Sequence, residues 1–215
     1  MGSGVNDTDV SRELRTAAEL LSEFRPRSER EAADLARIVP LATAGDPYAR
    51  ERPLHLTASA LIVHPAGREV LLRWHERQQD WLQVGGHGDP GEEFPSRIAL
   101  REAREESGLP DLAFWPTARL LHVVVLPVPA SEREPAHEHA DLRFVLATRT
   151  PAAVRPERPS ARVRWLPIEE AREAARGEAL RESLARVTEL LDNEGPAALS
   201  TDGASWRSGA DVSDR

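Results

Sequence analysis

Residues 85–109, GGHGDPGEEFPSRIALREAREESGL, limit what this chain can fold into more than any other stretch. They open as a glycine-rich loop and continue as a helix carrying Glu102, Glu105 and Glu106. Pro95 suits the first helical position, where a missing N–H costs nothing, and Gly108 suits the left-handed cap that ends a helix. At about 100° per residue, the three glutamates fall within an arc of about 100°. Ala99, Leu100 and Ala103 occupy the adjoining arc, and Arg97, Arg101 and Arg104 the third. The carboxylates therefore border the buried stripe instead of standing opposite it, along a cleft edge.

Like charges three and four residues apart cost about 0.2–0.5 kcal/mol per pair on an exposed helix, and more in a partly dry cleft. A hard divalent cation with oxygen ligands offsets that cost, and Mg²⁺ is the commonest. The competing reading is a solvated helix laced by pairs such as Arg101–Glu105. The glycine loop ahead of the helix, at this spacing, favours the cation.

The stretch resembles the Nudix box: glycine, five residues, glutamate, seven residues, then Arg-Glu-aliphatic-any-Glu-Glu-any-Gly-aliphatic. Gly86 and Glu92 satisfy the first spacing, and Arg101 through Leu109 satisfy the second half. The middle is one residue long, because eight residues separate Glu92 from Arg101. Counting back from Arg101 makes Glu93 the box glutamate and puts His87 where glycine is expected, so both glutamates stay in view. The resemblance covers about residues 54–192, and the longer box with the run from His55 to His87 resembles a subgroup of bacterial members with a helical N-terminal extension.

That resemblance implies an α/β fold, the Nudix α/β/α sandwich with a mixed β-sheet, preceded by an N-terminal helical extension. It implies attack by water on one phosphorus of a diphosphate, in a nucleoside diphosphate linked to another moiety or in a nucleotide triphosphate. Mg²⁺, with Mn²⁺ as a substitute, would be held by Glu102, Glu105, Glu106 and the Gly85 carbonyl. Glu105 is the favoured proton acceptor, and Arg101 would brace Glu92 or Glu93. A non-catalytic Nudix-fold sensor or regulator is the alternative, although a domain that only bound ligand would not need all three carboxylates. Isomerisation of an isoprenoid diphosphate on a similar fold uses a catalytic cysteine, and this chain has none.

Composition narrows the field further. The 215 residues fit one domain with an appendage. Without cysteine there are no disulfides, cysteine-based zinc sites or cysteine nucleophile. All 28 basic residues are arginine, and the net charge of −8 argues against binding nucleic acid by bulk electrostatics. No apolar run reaches membrane-spanning length and the N-terminus has no signal-peptide pattern, so a cytoplasmic protein is expected.

Residues 10–24 predict an amphipathic helix capped by Asp9, and Ser28 with Glu31 forms a capping-box pattern before a second helix. These helices, within an extension spanning 1–50, would cover the domain, wall the site or contribute to a homodimer interface. The catalytic domain is expected over 51–192. Strands are expected at 55–63, 69–74, 81–84, 118–126, 139–147 and 162–166, then a helical tail from Pro167. Residues 193–215 read as a disordered tail.

Residues 137–143, HEHADLR, are a second constellation. In a strand, His137, His139, Asp141 and Arg143 point the same way. They could contact substrate phosphate or base, with Glu138 or Asp141 as a further metal ligand or base, or simply face solvent with Asp141 pairing Arg143. The pattern also has the spacing of a transition-metal site, a reading that ranks behind the hard-metal one. His87 could contact substrate phosphate or stand in solvent as an ordinary loop histidine; His55, His64, His75 and His122 read as structural. Trp74 and Trp81 could stack a base, but strand tryptophans are more often core.

Overall fold

The computed structural model describes residues 14–43, 45–132, 134–158 and 160–194. Residues 10–13 of the expected helix lie outside the described residues; among the described ones the first helix is α1 (Ala17–Glu23). Its cap is Thr16, whose hydroxyl accepts from the Glu19 N–H while the Glu19 carboxylate accepts from the Thr16 N–H. Asp9, the expected cap, lies outside the described residues, as does everything beyond Glu194 in the expected tail. Helix α2 (Glu29–Ile38) is capped by Ser28, which accepts from the Glu31 N–H. The return half of that box is missing. The Glu31 carboxylate instead accepts from the Arg27 N–H and from Arg186, a stronger, charged donor from the far end of the chain.

Among the described residues, eight strands form one mixed sheet. They are β1 (Leu54–His64), β2 (Glu69–His75), β3 (Asp80–Leu82), β4 (Val84–His87), β5 (Ala113–Phe114), β6 (His122–Val128), β7 (His137–Ala147) and β8 (Val163–Pro167). The helices after α2 are α3 (Pro95–Ser107), α4 (Ile168–Ala174) and α5 (Glu178–Glu194). The centre is the parallel pair β1–β7, in register from Leu54↔Glu138 to Val63↔Ala147.

Three expectations change. The strand expected at 81–84 divides at Gln83: β3 pairs with β2 and β4 with β1, so the glycine-rich opening is itself a strand. The strand expected from 118 starts at His122 and runs through Pro127 to Val128. Pro127 is tolerated because β6 pairs with β7 alone and needs no donor on its outer side. The helical tail is two helices, α4 and α5, on either side of the link through Gly177.

Alternation gives the two faces of the sheet different work. Leu56, Ala58, Ala60 and Ile62 of β1, beside Ala140, Leu142, Phe144 and Leu146 of β7, pack against Ile98, Ala99 and Ala103 of α3. On the other face, Leu61, Val63, Val145 and Ala147 lie under Ile168, Leu180, Leu184 and Val187 of α4 and α5. The result is an α/β/α sandwich. The same second face changes character toward the start of β1, where His55, Thr57 and Ser59 stand in register with His139, Asp141 and Arg143.

The N-terminal helices belong to this body. Ala17, Leu20, Leu21 and Ile38 sit in the same apolar cluster as Leu56 and Ile98. Helix α2 also closes the outer edge of β6. The Val123 N–H donates to Glu31 at 3.3 Å and the Val125 N–H to Asp34 at 3.1 Å, so carboxylates take up donors that would otherwise offer an open edge. No helix among the described residues is long and apolar enough to cross a membrane.

Candidate active site

The box helix ends as its sequence requires. Pro95 is its first residue, and Gly108, with φ 65°, caps it with an N–H to the Arg104 carbonyl. Strand β4 lies against this helix through glycines. A Cβ on Gly86 would sit 2.7 Å from the Glu102 carboxyl group, and the Gly85 N–H donates to Glu106 Oε2 at 3.2 Å. Glu102 and Glu106 are thus held half-buried beneath the glycine strand, with side chains 17% and 12% exposed, whereas Glu105 is 54% exposed on the rim.

Arg101 is the hub. Its Nε and Nη2 donate to both oxygens of Glu92 at 3.1 and 2.9 Å, Nη1 reaches Glu102 at 2.8 Å and Glu105 at 3.2 Å, and Nη2 also meets the His87 carbonyl at 2.9 Å. Glu92 is the glutamate that Arg101 grips; Glu93 is exposed. Burial alone would raise the Glu92 carboxyl, but the Arg101 bonds and the Asp89 N–H outweigh it and hold it below its ordinary range.

Glu106 behaves differently. Burial pushes it up to about 7, against the opposing pull of Arg73 and the Gly85 N–H. Burial likewise raises Glu102, against Arg101. Arg73 of β2, which no local pattern singled out, lies 3.1 Å from Glu106 Oε1. Glu92, Glu102, Glu105 and Glu106 therefore share two guanidinium groups, an excess of negative charge in a partly dry place. Oxygen donors in this number and state of charge fit a hard divalent cation.

A Gly86→Ala substitution tests the closeness of strand and helix. The added methyl would push the Glu102 carboxylate, the free end of a flexible side chain, out of place. Turnover should fall about 10–100-fold while the melting temperature changes little. Unchanged kcat/KM would mean that the position of Glu102 does not matter.

The other expected residues separate into two groups. His87, His137 and His139 come together, and His55, expected to be structural, joins them: its ring centroid lies 5.1–5.2 Å from those of the other three. Burial and the neighbouring His139 hold His87 down to about 3, and burial with His55 holds His139 down to about 4. Asp141 and Arg143 are internal. Asp141 accepts from Thr57 at 3.0 Å, Ser59 at 2.8 Å and Arg143 at 2.9 Å, and Arg143 also donates to Ser183 and the Ala179 carbonyl. Glu138 is engaged by Arg37 of α2. Trp74 and Trp81 meet edge to face at 5.5 Å, with Arg162 over the first and Arg164 over the second.

Comparison with known proteins gives a family profile and a set of solved structures. The profile described as NUDIX domain matches residues 53–187. A crystal structure of a C. elegans Ap4A hydrolase binary complex aligns with a TM-score of 0.51 at 21% identity, over 64% of this chain and 98% of that one. The E. coli dihydroneopterin triphosphate pyrophosphohydrolase aligns with a TM-score of 0.48 at 17% identity, over 63% of this chain and 94% of that one. At such identity the first likeness is one of fold. No curated protein matches the chain.

Proposed function

The chain belongs to the Nudix family, hydrolases of pyrophosphate bonds, and on that premise we propose that it cleaves a phosphoanhydride in a nucleotide-containing diphosphate or triphosphate. The substrate is a nucleoside diphosphate linked to another moiety, or a nucleotide triphosphate. Glu102, Glu105, Glu106 and the Gly85 carbonyl would hold divalent cations, Mg²⁺ in the first place with Mn²⁺ as a substitute. The observation that carries the reading is the pair Glu102 and Glu106, set against the glycine strand with side chains 17% and 12% exposed, the first paired to Arg101 and the second to Arg73.

When bound, the cations screen the charge of the diphosphate and lower the pKa of water. The chain's own residues supply the rest. Arg101 fixes Glu92, Glu102 and the His87 carbonyl, so strand and helix keep one spacing. Arg73 and the Gly85 N–H hold Glu106 in a single orientation. Glu105, exposed at the open rim, would be the carboxylate that takes a proton from the attacking water and passes it to solvent. Asp141, locked by Thr57, Ser59 and Arg143, ties the two central strands together beside β4.

The test is a panel of ADP-ribose, nucleotide sugars, dinucleoside polyphosphates and (deoxy)nucleoside triphosphates, with and without Mg²⁺. At least one should yield a nucleoside monophosphate only when Mg²⁺ is present. Tight binding of a panel member with no turnover under any divalent ion would favour a ligand-binding sensor instead.

A further inference from the structure

We propose that His55, His87, His137 and His139 form a second, all-nitrogen metal site, separate from the box carboxylates, that takes a tetrahedral late first-row divalent ion, zinc before others. The site is independent of the hydrolase reading, and its effect is to clamp β4 onto the two central strands.

The first support is convergence. One donor atom from each of the four rings lies within 4.8 Å of the other three. Successive Nε2 atoms, His55 to His87, His87 to His139 and His139 to His137, are each 3.1 Å apart. Four nitrogens at about 2.0–2.1 Å from a tetrahedral zinc ion stand about 3.3–3.4 Å from one another. The rings are already near that spacing.

The second support is the direction of the lone pairs. His55 Nδ1 lies 3.0 Å from the Arg52 carbonyl, and His137 Nδ1 2.9 Å from the Pro135 carbonyl. A carbonyl only accepts, so both Nδ1 atoms carry the proton and, in the neutral rings, both Nε2 atoms are bare acceptors aimed at the cluster. Carbonyl-anchored Nδ1–H is also how metal-binding histidines are commonly oriented.

Protons alone then cannot satisfy the chain of contacts. For neutral rings, bonding His55 requires a proton on His87 Nε2, and bonding His137 requires one on His139 Nε2. The central contact between His87 and His139 would then set two N–H groups face to face. A cation receiving four lone pairs removes the conflict.

Donor chemistry separates the two sites. Imidazole suits Zn²⁺, Cu²⁺ and Ni²⁺, whereas carboxylate and carbonyl oxygens suit Mg²⁺ and Mn²⁺. Four protein donors leave no open position, which marks a structural site. His87 follows Gly85 and Gly86 in β4, and its carbonyl meets Arg101, so an ion held here fixes the strand that faces the box glutamates.

The test uses the full chain without a histidine tag, stripped by chelator and titrated with Co²⁺ in excess Mg²⁺. The wild type should take up cobalt stoichiometrically, with the intense visible bands of a tetrahedral ion, and lose them when Zn²⁺ is added. His87→Ala and His139→Ala should abolish the bands, while a Glu102→Gln/Glu106→Gln double variant keeps them. Circular dichroism checks each fold. Should the alanine variants not fold, the wild-type titration alone decides, because weak octahedral bands or no uptake would overturn the proposal. Bands that vanish in the glutamate variant but survive in the histidine variants would overturn it as well.

Discussion

Glu106→Gln is expected to lower kcat by about 10²–10⁴-fold on whichever nucleotide the wild type turns over, a loss of about 3–5 kcal/mol of transition-state stabilisation. Glutamine keeps the size of the side chain and an oxygen that can accept the Gly85 N–H. It removes the negative charge that the proposed divalent cation would need. Because burial already disfavours that charge, its removal should not cost the fold. Glu105→Gln should act in the same direction for a different reason, since it sits on the exposed rim and its loss deprives the attacking water of a proton acceptor. Steady-state kinetics with circular dichroism on both variants checks this. Wild-type turnover in both would remove the catalytic assignment.

Arg186→Met should be the most destabilising of the substitutions away from the site, by about 3–5 kcal/mol. Glu31 and Arg186 are 1% and 2% exposed, and the guanidinium meets both carboxylate oxygens at 2.7 and 2.9 Å. Arg186 also donates to the Leu121 carbonyl, and Glu31 accepts from the Val123 N–H, so the pair ties α2, α5 and the start of β6 together. Removing the arginine strands a buried carboxylate. Out of a total stability of about 5–15 kcal/mol, that is a large share. Replacing both partners, Glu31→Leu with Arg186→Met, should recover a good part of it, because the buried charge goes too. Urea unfolding measures both variants. A single variant within about 1 kcal/mol of wild type would mean that water reaches Glu31 and that α2 is not held by this pair.

What could be read from the sequence was local. Pro95 and Gly108 bound the box helix because caps act over a few residues, and the glutamate spacing on one arc follows from helix geometry alone. Alternation likewise put His137, His139, Asp141 and Arg143 on one face of β7. Long-range partners were not legible. His55 looked structural because nothing near it in sequence reveals that β1 and β7 run parallel with His55 opposite His139. Glu31 had the spacing of a capping box but is claimed by Arg186, 155 positions away. The choice between Glu92 and Glu93 also waited on three dimensions, since the extra residue lies between them and the arginine that selects one. Strand β5, two residues long, is too short to leave a periodic pattern.

Glu102, Glu105 and Glu106 are proposed to hold the divalent ion on which cleavage depends. Electron paramagnetic resonance titration of Mn²⁺ into the chelator-stripped protein tests this most directly. The wild type should bind Mn²⁺ in competition with Mg²⁺, and the Glu102→Gln/Glu106→Gln variant should bind it about tenfold more weakly or worse. Equal Mn²⁺ affinity in the two proteins would contradict the claim.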